Sequence, residues 1–334
     1  MGLYRLKRSQ DSGSKASVAW IIEWLKSPRC RRKLYRDIEE SGGRRQENIR
    51  TNREGGNKGM IRRSQLYVPG NNERMIRKAA LELSPDSVIL DLEDSVPPEE
   101  KDIARDLLMR IVPQLDWGTK EVCVRVNPMW TPYFYKDIEL VLKLDVVKCV
   151  VVPKAEVPLD FVYQATGRSV EPLIETARGF IKMEEIVRSE GVAAVSYGVA
   201  DFALSVGGHH RAYEGNQAIK TLVVAAARAY GVEPIDKVYF DLKDLEGFRR
   251  ECAEAKALGF VGKQVIHPSQ IPIANEVFSP TEEEIRQAEK IVKAYEEARA
   301  RGRGAIRVDD QLVDYVHYQL ARRLLEYARR TQSR

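Results

Sequence analysis

Two apolar runs, each ending in a carboxylate, dominate the sequence: residues 170–179 read VEPLIETARG, and residues 194–201 read AVSYGVAD. Glu175 follows the first run and Asp201 follows the second. Burying a carboxylate at the end of a strand is costly unless a cation or hydrogen bonds satisfy it. Two such residues on successive strands predict a hard divalent cation, Mg²⁺ by default, at one end of a sheet. The alternative is that both acids cap the helices that follow.

Outward from these runs, short β-branched segments alternate with amphipathic helical segments from residue 64 onward. This alternation predicts a parallel sheet covered by helices. The predicted strands are Gln65–Val68, Ser87–Leu92, Glu121–Val126, Lys148–Val152, Ser169–Ile174, Ala193–Tyr197, Lys237–Phe240 and Lys263–Ile266. Eight strand–helix units over roughly 210 residues fit a (β/α)₈ TIM barrel. A doubly wound open sheet is the rival, but the turn after the first strand lacks the glycine spacing of a dinucleotide site.

The charge of the chain is unevenly distributed. Over 334 residues the formal net charge is +5, but residues 1–60 contain 15 basic and 7 acidic residues, so the remainder carries a net charge of −3. Because the basic character belongs to this leader, no nucleic-acid partner is expected. No apolar run approaches the ~20 residues that span a bilayer, so no membrane partner is expected either.

The basic leader, residues 1–60, is expected to be disordered except for a short helix from Val18 to Leu25. It lacks the long apolar core of a secretory signal, and its acidic residues count against a mitochondrial transit peptide. We therefore predict a cytoplasmic protein, with the mitochondrial matrix as the less favoured location. A natural start at Met60 is another explanation for the leader. The predicted domains are this leader, a barrel over residues 61–278 and a C-terminal helical extension over residues 279–334.

Polar residues gather at the predicted strand ends. In a TIM barrel these ends share one rim, where catalytic residues lie. The rim candidates are Asp91, Glu93, Asp94, Arg125, Lys154, Glu175, Asp201, Asp241 and His267, with Arg63 before the first strand as a further member. Glu93 and Asp94 could instead cap a helix near Pro97, and Arg125 could simply neutralise them. The concentration of acids and bases predicts a metal-assisted active site.

The chain continues beyond the eighth strand. The segment SPTEEE at residues 279–284 has capping-box spacing and predicts a helix that runs to about Arg299. A flexible link at residues 301–304 precedes a second predicted helix, Leu312–Arg330. An amphipathic helix outside a closed barrel needs another surface to cover its apolar face. We expect this extension to pack on a neighbouring subunit or to serve as a lid.

Seven motifs occur in the order of a known family: RSQLYVPG (63–70), LDLED (90–94), VRVNP (124–128), PK (153–154), PLIET (172–176), GVADF (198–202) and IHP (266–268). On these motifs, residues 62–328 resemble the citrate lyase β-subunit-like family, which includes malyl-CoA lyases and belongs to the HpcH/HpaI aldolase/citrate lyase superfamily. The resemblance implies a Mg²⁺-dependent TIM barrel. It also implies cleavage or formation of a carbon–carbon bond in a 3-hydroxyacyl thioester, such as citryl-CoA or malyl-CoA.

The resemblance also implies roles for individual residues. Glu175 and Asp201 match the metal carboxylates of the family, and Glu175 is also expected near the substrate. Arg125 matches the substrate-binding arginine, and Glu93 and Asp94 match the acids of the second strand.

A further implied site residue, Asp314, matches an aspartate that many members supply from a neighbouring subunit. The implied partners are an acyl-CoA or acyl-carrier thioester and further copies of the chain, in a trimer or hexamer. The chain departs from the family pattern at Asp310, where glycine is usual, and at Ile219 and Lys220, where alanine and arginine are frequent.

The implied reaction is a retro-Claisen cleavage, which needs a polarised hydroxyl group and a stabilised enolate. Mg²⁺ would lower the pKa of the hydroxyl group. Arg125 suits the developing enolate oxygen or a substrate carboxylate. Asp314 is the candidate for proton exchange with the thioester-derived methyl group. Lys154 and Arg63 are candidates for holding the thioester arm.

Two other functions remain open at this stage. A malyl-CoA thioesterase could use the same metal site to direct water at the thioester. A non-catalytic binding protein with an inactive barrel would instead rely on residues 1–60.

Overall fold

Eight parallel strands close into a barrel in chain order. The computed structural model of the protein describes residues 60–332, which belong to one compact unit. The predictions for the leader lie outside these residues. The strands are β1 (Ser64–Pro69), β2 (Ser87–Asp91), β3 (Glu121–Arg125), β4 (Val147–Val152), β5 (Ser169–Ile174), β6 (Ala194–Tyr197), β7 (Glu233–Asp236) and β8 (Gly262–Val265). The predicted (β/α)₈ TIM barrel is confirmed.

Helices surround the strands, and the barrel helices are α1 (Glu73–Leu81), α2 (Lys101–Ile111), α3 (Phe134–Lys143), α4 (Asp160–Thr166), α5 (Ala177–Ile181), α6 (Met183–Val187), α7 (Val199–Val206), α8 (Arg211–Glu214), α9 (Gln217–Ala229), α10 (Leu245–Leu258) and α11 (Gln270–Phe278). Beyond the barrel lie α12 (Glu282–Ala300), the hairpin strands β9 (Ala305–Val308) and β10 (Gln311–Asp314), and α13 (Tyr315–Gln332). The predicted capping box opens α12, where the Thr281 and Glu284 side chains bond each other's backbone N–H groups.

The barrel strands are buried on both faces, which is why they read as nearly continuous apolar runs. In β2, Val88 and Leu90 pack in the main core between sheet and helices. Ile89, between them in sequence, packs instead with Cys123, Cys149 and Val151 in a second, smaller cluster. Since successive side chains of a strand point to opposite faces, this second cluster fills the barrel interior.

The seventh strand was wrongly predicted. Lys237–Phe240 has the alternating aromatic and β-branched composition of a strand, but the structure forms β7 four residues earlier. Pro234, within β7, disfavours a strand locally, yet Val195 of β6 pairs with it. Barrel closure therefore overrides local propensity, and Asp241 lies in the loop beyond the strand, not at its end. There its carboxylate accepts the backbone N–H groups of Lys243 and Asp244.

A buried arginine organises the amino-terminal end of the barrel. Arg62 is 1% exposed and makes a two-point contact with Glu121 at 2.6 and 2.7 Å. It also contacts Glu233 at 2.7 Å, so it joins the first residues of β3 and β7.

Arg63 lies at this same end, which corrects its prediction as a substrate-binding residue. Its guanidinium pairs with Asp86 at 2.8 Å and donates to the Ser279 hydroxyl at 2.9 Å. Asp86 directly precedes β2, and Arg63 directly precedes β1. A residue that precedes a barrel strand lies at the end opposite the carboxyl rim. Arg63 therefore stabilises the base of the barrel.

The C-terminal extension packs on its own chain. A small core of Tyr295, Val308, Val313 and Tyr318 joins α12, the hairpin and α13. Near the other end of α13, Tyr327 donates to the carbonyl of Val261 at 3.5 Å.

Arg330 completes this attachment by bonding the carbonyl of Met60 and lying 3.4 Å from Glu233. The link predicted at residues 301–304 does not leave this helix detached from its own barrel. The hairpin replaces the first turn of the predicted helix, and α13 then lies against α12 and the base of the barrel. Within residues 60–332, no helix is long and apolar enough to cross a membrane.

We predict that Arg62→Met lowers the free energy of unfolding by about 3–5 kcal/mol, because it leaves Glu121 buried without its cation. Urea denaturation monitored by circular dichroism measures this loss. The matched control is Arg77→Met, which breaks the exposed Arg77–Glu73 pair and should cost at most ~1 kcal/mol. Equal effects of the two substitutions would contradict the role assigned to Arg62.

Candidate active site

The carboxyl ends of four strands, β2, β3, β5 and β6, bring charged residues to one cavity. It has a volume of about 420 Å³, and its wall includes Asp91, Asp94, Arg125, Glu175 and Asp201. These residues are distant in sequence, and only the closure of the barrel places them together. The predicted rim therefore exists at this end of the structure.

Arg125, the last residue of β3, is fixed by the strand beside it. Its Nε and Nη2 donate to the two carboxylate oxygens of Asp91 at 2.6 and 2.7 Å. Its Nη1 lies 3.0 Å from Glu93, without hydrogen-bond geometry. The guanidinium also lies over the ring of Tyr67, 4.7 Å from the ring centroid. A planar, two-point contact of this kind fixes the orientation of the side chain as well as its position.

Lys154, in the turn after β4, reaches three acids of the site. Its Nζ lies 2.5 Å from Glu93 and 3.5 Å from both Asp94 and Asp201. Its backbone N–H donates to Glu175 Oε1 at 2.9 Å. One residue thus contacts both of the predicted metal carboxylates.

Glu175 lies immediately after β5 and is 3% exposed. The loop before α7 passes close beside it, since a Cβ on Gly198 would lie 2.5 Å from Glu175 Oε2. Burial, with the nearby charges of Glu93 and Asp201, raises the pKa of Glu175 to about 8 despite the opposing effect of Lys154. Burial is the largest of these effects, and the two neighbouring carboxylates add to it.

The helix-cap alternatives do not describe these acids. Thr176, rather than Glu175, caps α5 by accepting the N–H of Gly179. Asp201 lies in the first turn of α7 but makes no capping hydrogen bond. The short 3₁₀ helix at Pro98–Glu100 also has no side-chain cap, so Glu93 and Asp94 do not serve it.

The donor set fits a hard divalent cation. Five carboxylates (Asp91, Glu93, Asp94, Glu175 and Asp201) meet two basic side chains (Arg125 and Lys154) at the rim. Burial and the neighbouring acids raise the pKa of Glu175 even with both bases present, so a further cation beside it would stabilise its charged form. Carboxylate oxygens that lack a cation are the ligands that Mg²⁺ prefers. Glu175 and Asp201 are the residues that could hold it.

Asp314 lies outside the cavity wall of its own chain. Its carboxylate accepts the backbone N–H of Val316 at 2.9 Å and lies 2.7 Å from His317 Nδ1. It ends β10 and begins α13, so within one chain it acts as a helix cap. Of the predicted site residues, the structure gathers Glu93, Asp94, Arg125, Lys154, Glu175 and Asp201, and it separates Arg63 and Asp314 from them.

Two residues of the site were missed as functional candidates. Asp91 appeared only as a rim acid, although it holds Arg125. The feature that could have identified Asp91 as a partner of Arg125 is strand register, since the two residues lie opposite each other across β2 and β3. Tyr67 lies in the middle of β1, where the sequence alone does not distinguish a core aromatic residue from one that supports an arginine.

A second group of possible metal-ligating residues consists of Glu121, Cys123 and Cys149 in the barrel. Their carboxylate and thiol ligand atoms lie within 4.8 Å of one another. Both Glu121 oxygens already accept from Arg62. Burial raises the pKa of the Cys123 thiol well above its usual range. A guanidinium next to neutral thiols opposes a metal cation, so we assign no metal to this cluster.

The fold and the site define a TIM-barrel enzyme whose active site is formed at the carboxyl ends of the strands. Comparison with known proteins identifies its family. Residues 63–268 match the family described as HpcH/HpaI aldolase/citrate lyase. This protein therefore belongs to the HpcH/HpaI aldolase/citrate lyase family, as its motifs predict.

Two relatives and one solved structure are similar to this chain over most of its length. The L-malyl-CoA/β-methylmalyl-CoA lyase of Cereibacter sphaeroides is 36% identical over 286 residues, covering 75% of this chain and 90% of that relative. The (3S)-malyl-CoA thioesterase of the same organism is 37% identical over 270 residues, covering 80% of this chain and 94% of that relative. CitE of Mycobacterium tuberculosis, solved with magnesium, acetoacetate and coenzyme A, superposes with a TM-score of 0.68 at 29% identity. That structure covers 81% of this chain and 99% of its own.

The raised pKa of Glu175 predicts a pH dependence of the metal-free protein. A carboxyl group whose pKa is higher in the folded than in the unfolded state favours folding while it is protonated. Metal-free stability should therefore fall as pH rises from 4.5, the ordinary pKa of glutamate, to about 8. The slope should be at most about 1.4 kcal/mol per pH unit.

Urea denaturation in EDTA across this pH range measures the effect, and Glu175→Gln should flatten the profile. Glu254→Gln, at a glutamate far along the chain and outside the cavity wall, is the control and should leave the profile unchanged. A Glu175→Gln profile identical to wild type would contradict the prediction.

Proposed function

We propose that this protein is a Mg²⁺-dependent lyase that cleaves or forms the carbon–carbon bond of a 3-hydroxyacyl-CoA thioester, with citryl-CoA and malyl-CoA as candidate substrates. The products of cleavage are a 2-oxo acid and an acyl thioester. One observation carries the proposal: the carboxylates of Glu175 and Asp201 line the same cavity as the guanidinium of Arg125. The malyl-CoA lyase relative, and the magnesium and coenzyme A bound to CitE, support it.

Glu175 and Asp201 are the proposed holders of the ion. When bound there, Mg²⁺ would lower the pKa of the substrate hydroxyl group and offset negative charge on the substrate oxygens. The protein fixes Glu175 from two sides, through the backbone N–H of Lys154 and the close approach of Gly198. Such support keeps a ligand in place before the ion arrives.

Arg125 is the proposed anion-binding residue. A guanidinium has five N–H donors. Two of them donate to Asp91, and Nη1 lies 3.0 Å from Glu93 without hydrogen-bond geometry. The N–H groups on Nη1 and the second N–H of Nη2 are therefore the donors proposed for a substrate carboxylate, or for the oxygen of the enolate that forms when the bond breaks. Because Asp91 already fixes the orientation of Arg125, little reorganisation is needed as charge develops.

Proton transfer completes the proposed reaction. In cleavage, the hydroxyl proton leaves as the carbon–carbon bond breaks, and the thioester enolate takes a proton at carbon. Asp94 lies at the cavity wall and is largely exposed, so it is the proposed acceptor of the hydroxyl proton. Glu93 is buried between Arg125 and Lys154 and is proposed to hold both in position.

We propose that Asp314 of a second copy exchanges a proton with the thioester-derived methyl group. The hydrogen bond from His317, and those from the backbone, lower the pKa of Asp314 and keep it ionised, the form that takes a methyl proton during bond formation. Leu312, Tyr315, Val316 and Leu320 surround it in sequence, and each is more than half exposed. An apolar patch of this kind marks a surface that a partner covers. We propose a homotrimer or hexamer in which a second copy covers it, and a cytoplasmic location.

The thioesterase relative supports a second candidate function. In a hydrolase the same carboxylates and Arg125 would hold the thioester while water attacks its carbonyl carbon. The products then differ: free hydroxy acid and CoA from hydrolysis, against 2-oxo acid and acetyl-CoA from cleavage.

Product analysis with citryl-CoA, malyl-CoA and methylmalyl-CoA, each with Mg²⁺ and with EDTA, tests the proposed function. We expect 2-oxo acid and acyl-CoA to form only with Mg²⁺. Glu175→Gln and Asp201→Asn should each lower turnover by about 10² or more, because a site that stabilises charge loses its cation. Asp241→Asn, at the loop acid outside the cavity, is the matched control and should keep wild-type turnover. Unchanged turnover in EDTA would overturn the proposal.

Asp314→Asn should lower the carbon–carbon step by ~10²–10⁴, the usual range for loss of a general acid or base. Mg²⁺ binding should be retained. Asp310→Asn, in the same hairpin, is the control and should stay active.

Complementation between variant subunits tests whether Asp314 acts in the active site of a neighbouring subunit. Hybrids of Asp314→Asn and Glu175→Gln subunits should regain activity, because one interface then contains an intact site. If verified subunit exchange restores no activity, the site is formed within one chain.

A further inference from the structure

Lys154 has a backbone conformation that favours glycine. Its φ angle is +49°, and among the described residues only Lys154 and Asp309 have positive φ without being glycine. A side chain in this region costs energy that glycine avoids. Strained residues persist where the surrounding structure compels them, and they concentrate at functional sites. The lysine side chain must therefore contribute something here that glycine cannot.

The contacts of Lys154 indicate what it contributes. The left-handed turn aims the backbone N–H at Glu175 Oε1, 2.9 Å away. The side chain, 19% exposed, runs back across the cluster and places Nζ 2.5 Å from Glu93 and 3.5 Å from Asp201. The ammonium thus occupies the region between acids that a divalent cation would also neutralise. The ammonium carries one positive charge, whereas a divalent cation carries two. The ammonium is also covalently attached to the protein.

We propose that the ammonium of Lys154 is a built-in counter-ion that partly neutralises the acid cluster in the absence of metal and weakens the affinity of the site for a divalent cation. This inference rests on the proposed Mg²⁺ site at Glu175 and Asp201. An ion held by Asp201 is drawn to the carboxylate that Lys154 already contacts. Two cations that share one carboxylate repel each other, and this repulsion is only weakly screened in a partly buried site.

The role has a physical consequence for the metal-free protein. Without the ammonium, Glu93 would keep only its contact with Arg125, and Asp201 would lose its cation. Lys154 therefore preserves the arrangement of the acids while keeping the metal exchangeable. It is a positioning residue, acting on the substrate through the cluster.

Isothermal titration calorimetry of EDTA-treated, dialysed protein with MgCl₂ tests the proposal. Lys154→Met keeps the length of the side chain and removes its charge, so the dissociation constant for Mg²⁺ should fall by about 10-fold as the repulsion is lost. Lys154→Arg keeps the charge and should bind Mg²⁺ like wild type. Lys243→Met removes a lysine outside the cavity wall and controls for the change in net charge.

A second readout serves variants that are marginally folded without metal. Ligand binding stabilises the folded state by an amount that grows with the logarithm of the ligand concentration divided by Kd, so tighter binding raises the unfolding temperature more. The Mg²⁺-induced rise should therefore be larger for Lys154→Met than for wild type, and Lys154→Gln should behave in the same way. A purely structural lysine would lower the metal-free unfolding temperature without tightening Mg²⁺ binding.

Equal or weaker Mg²⁺ binding by Lys154→Met overturns the proposal. The outcome is separable from failure of the proposed function. If wild type binds Mg²⁺ and Glu175→Gln does not, the metal site stands whatever Lys154→Met shows. If wild type and Glu175→Gln both give no binding heat and no shift in unfolding temperature, both proposals fall.

Discussion

The concentration of negative charge at one end of the barrel is the constraint on which the site depends. Parallel strands direct their carboxyl ends to the same rim, so acids that follow β2, β5 and β6 meet although they are distant in sequence. Two bases are present, and Arg125 is largely committed to Asp91. The pKa of Glu175 is raised mainly by burial and further by Glu93 and Asp201, so its charged form lacks sufficient stabilisation without a cation. A divalent cation at this rim would offset the excess of negative charge, and Arg125 would supply the positive charge that an anionic substrate needs.

The opposite end of the barrel carries the structural charges. Arg62 joins Glu121 and Glu233, and Arg63 pairs with Asp86. Both ends of the barrel therefore contain buried ion pairs, but they differ in the ratio of acidic to basic side chains. At the base three guanidinium groups (Arg62, Arg63 and Arg330) pair with three carboxylates (Glu121, Glu233 and Asp86), whereas at the rim the acids outnumber the bases. Buried charge is retained for stability where it is paired and for chemistry where it is not.

Sequence predicted much of this arrangement because strand ends can be read from apolar runs. Glu175 and Asp201 follow such runs, and the structure places both at the cavity wall. Arg63 was placed at the wrong end, since basic character alone does not show on which side of a strand a residue lies. The β7 prediction failed because Pro234 pairs only when the closed barrel demands it. The hairpin β9–β10 was missed because a short antiparallel pair has little local signal, and its Val308 and Val313 are buried only by tertiary contact.

Lyase and hydrolase chemistry place different demands on the same rim. Both need the thioester held beside Arg125, but cleavage of the carbon–carbon bond also requires that water be kept from the thioester carbonyl. The cavity of one chain is open to solvent near Asp94 and Asp201, which are 64% and 28% exposed. The segment around Asp314 presents exposed apolar side chains next to a carboxylate. A surface of this composition, placed over the cavity of another copy, would supply a proton-transfer group and exclude water in one step. In the proposed assembly, the choice between the two reactions would depend on how the subunits meet, because the same rim residues could serve either reaction.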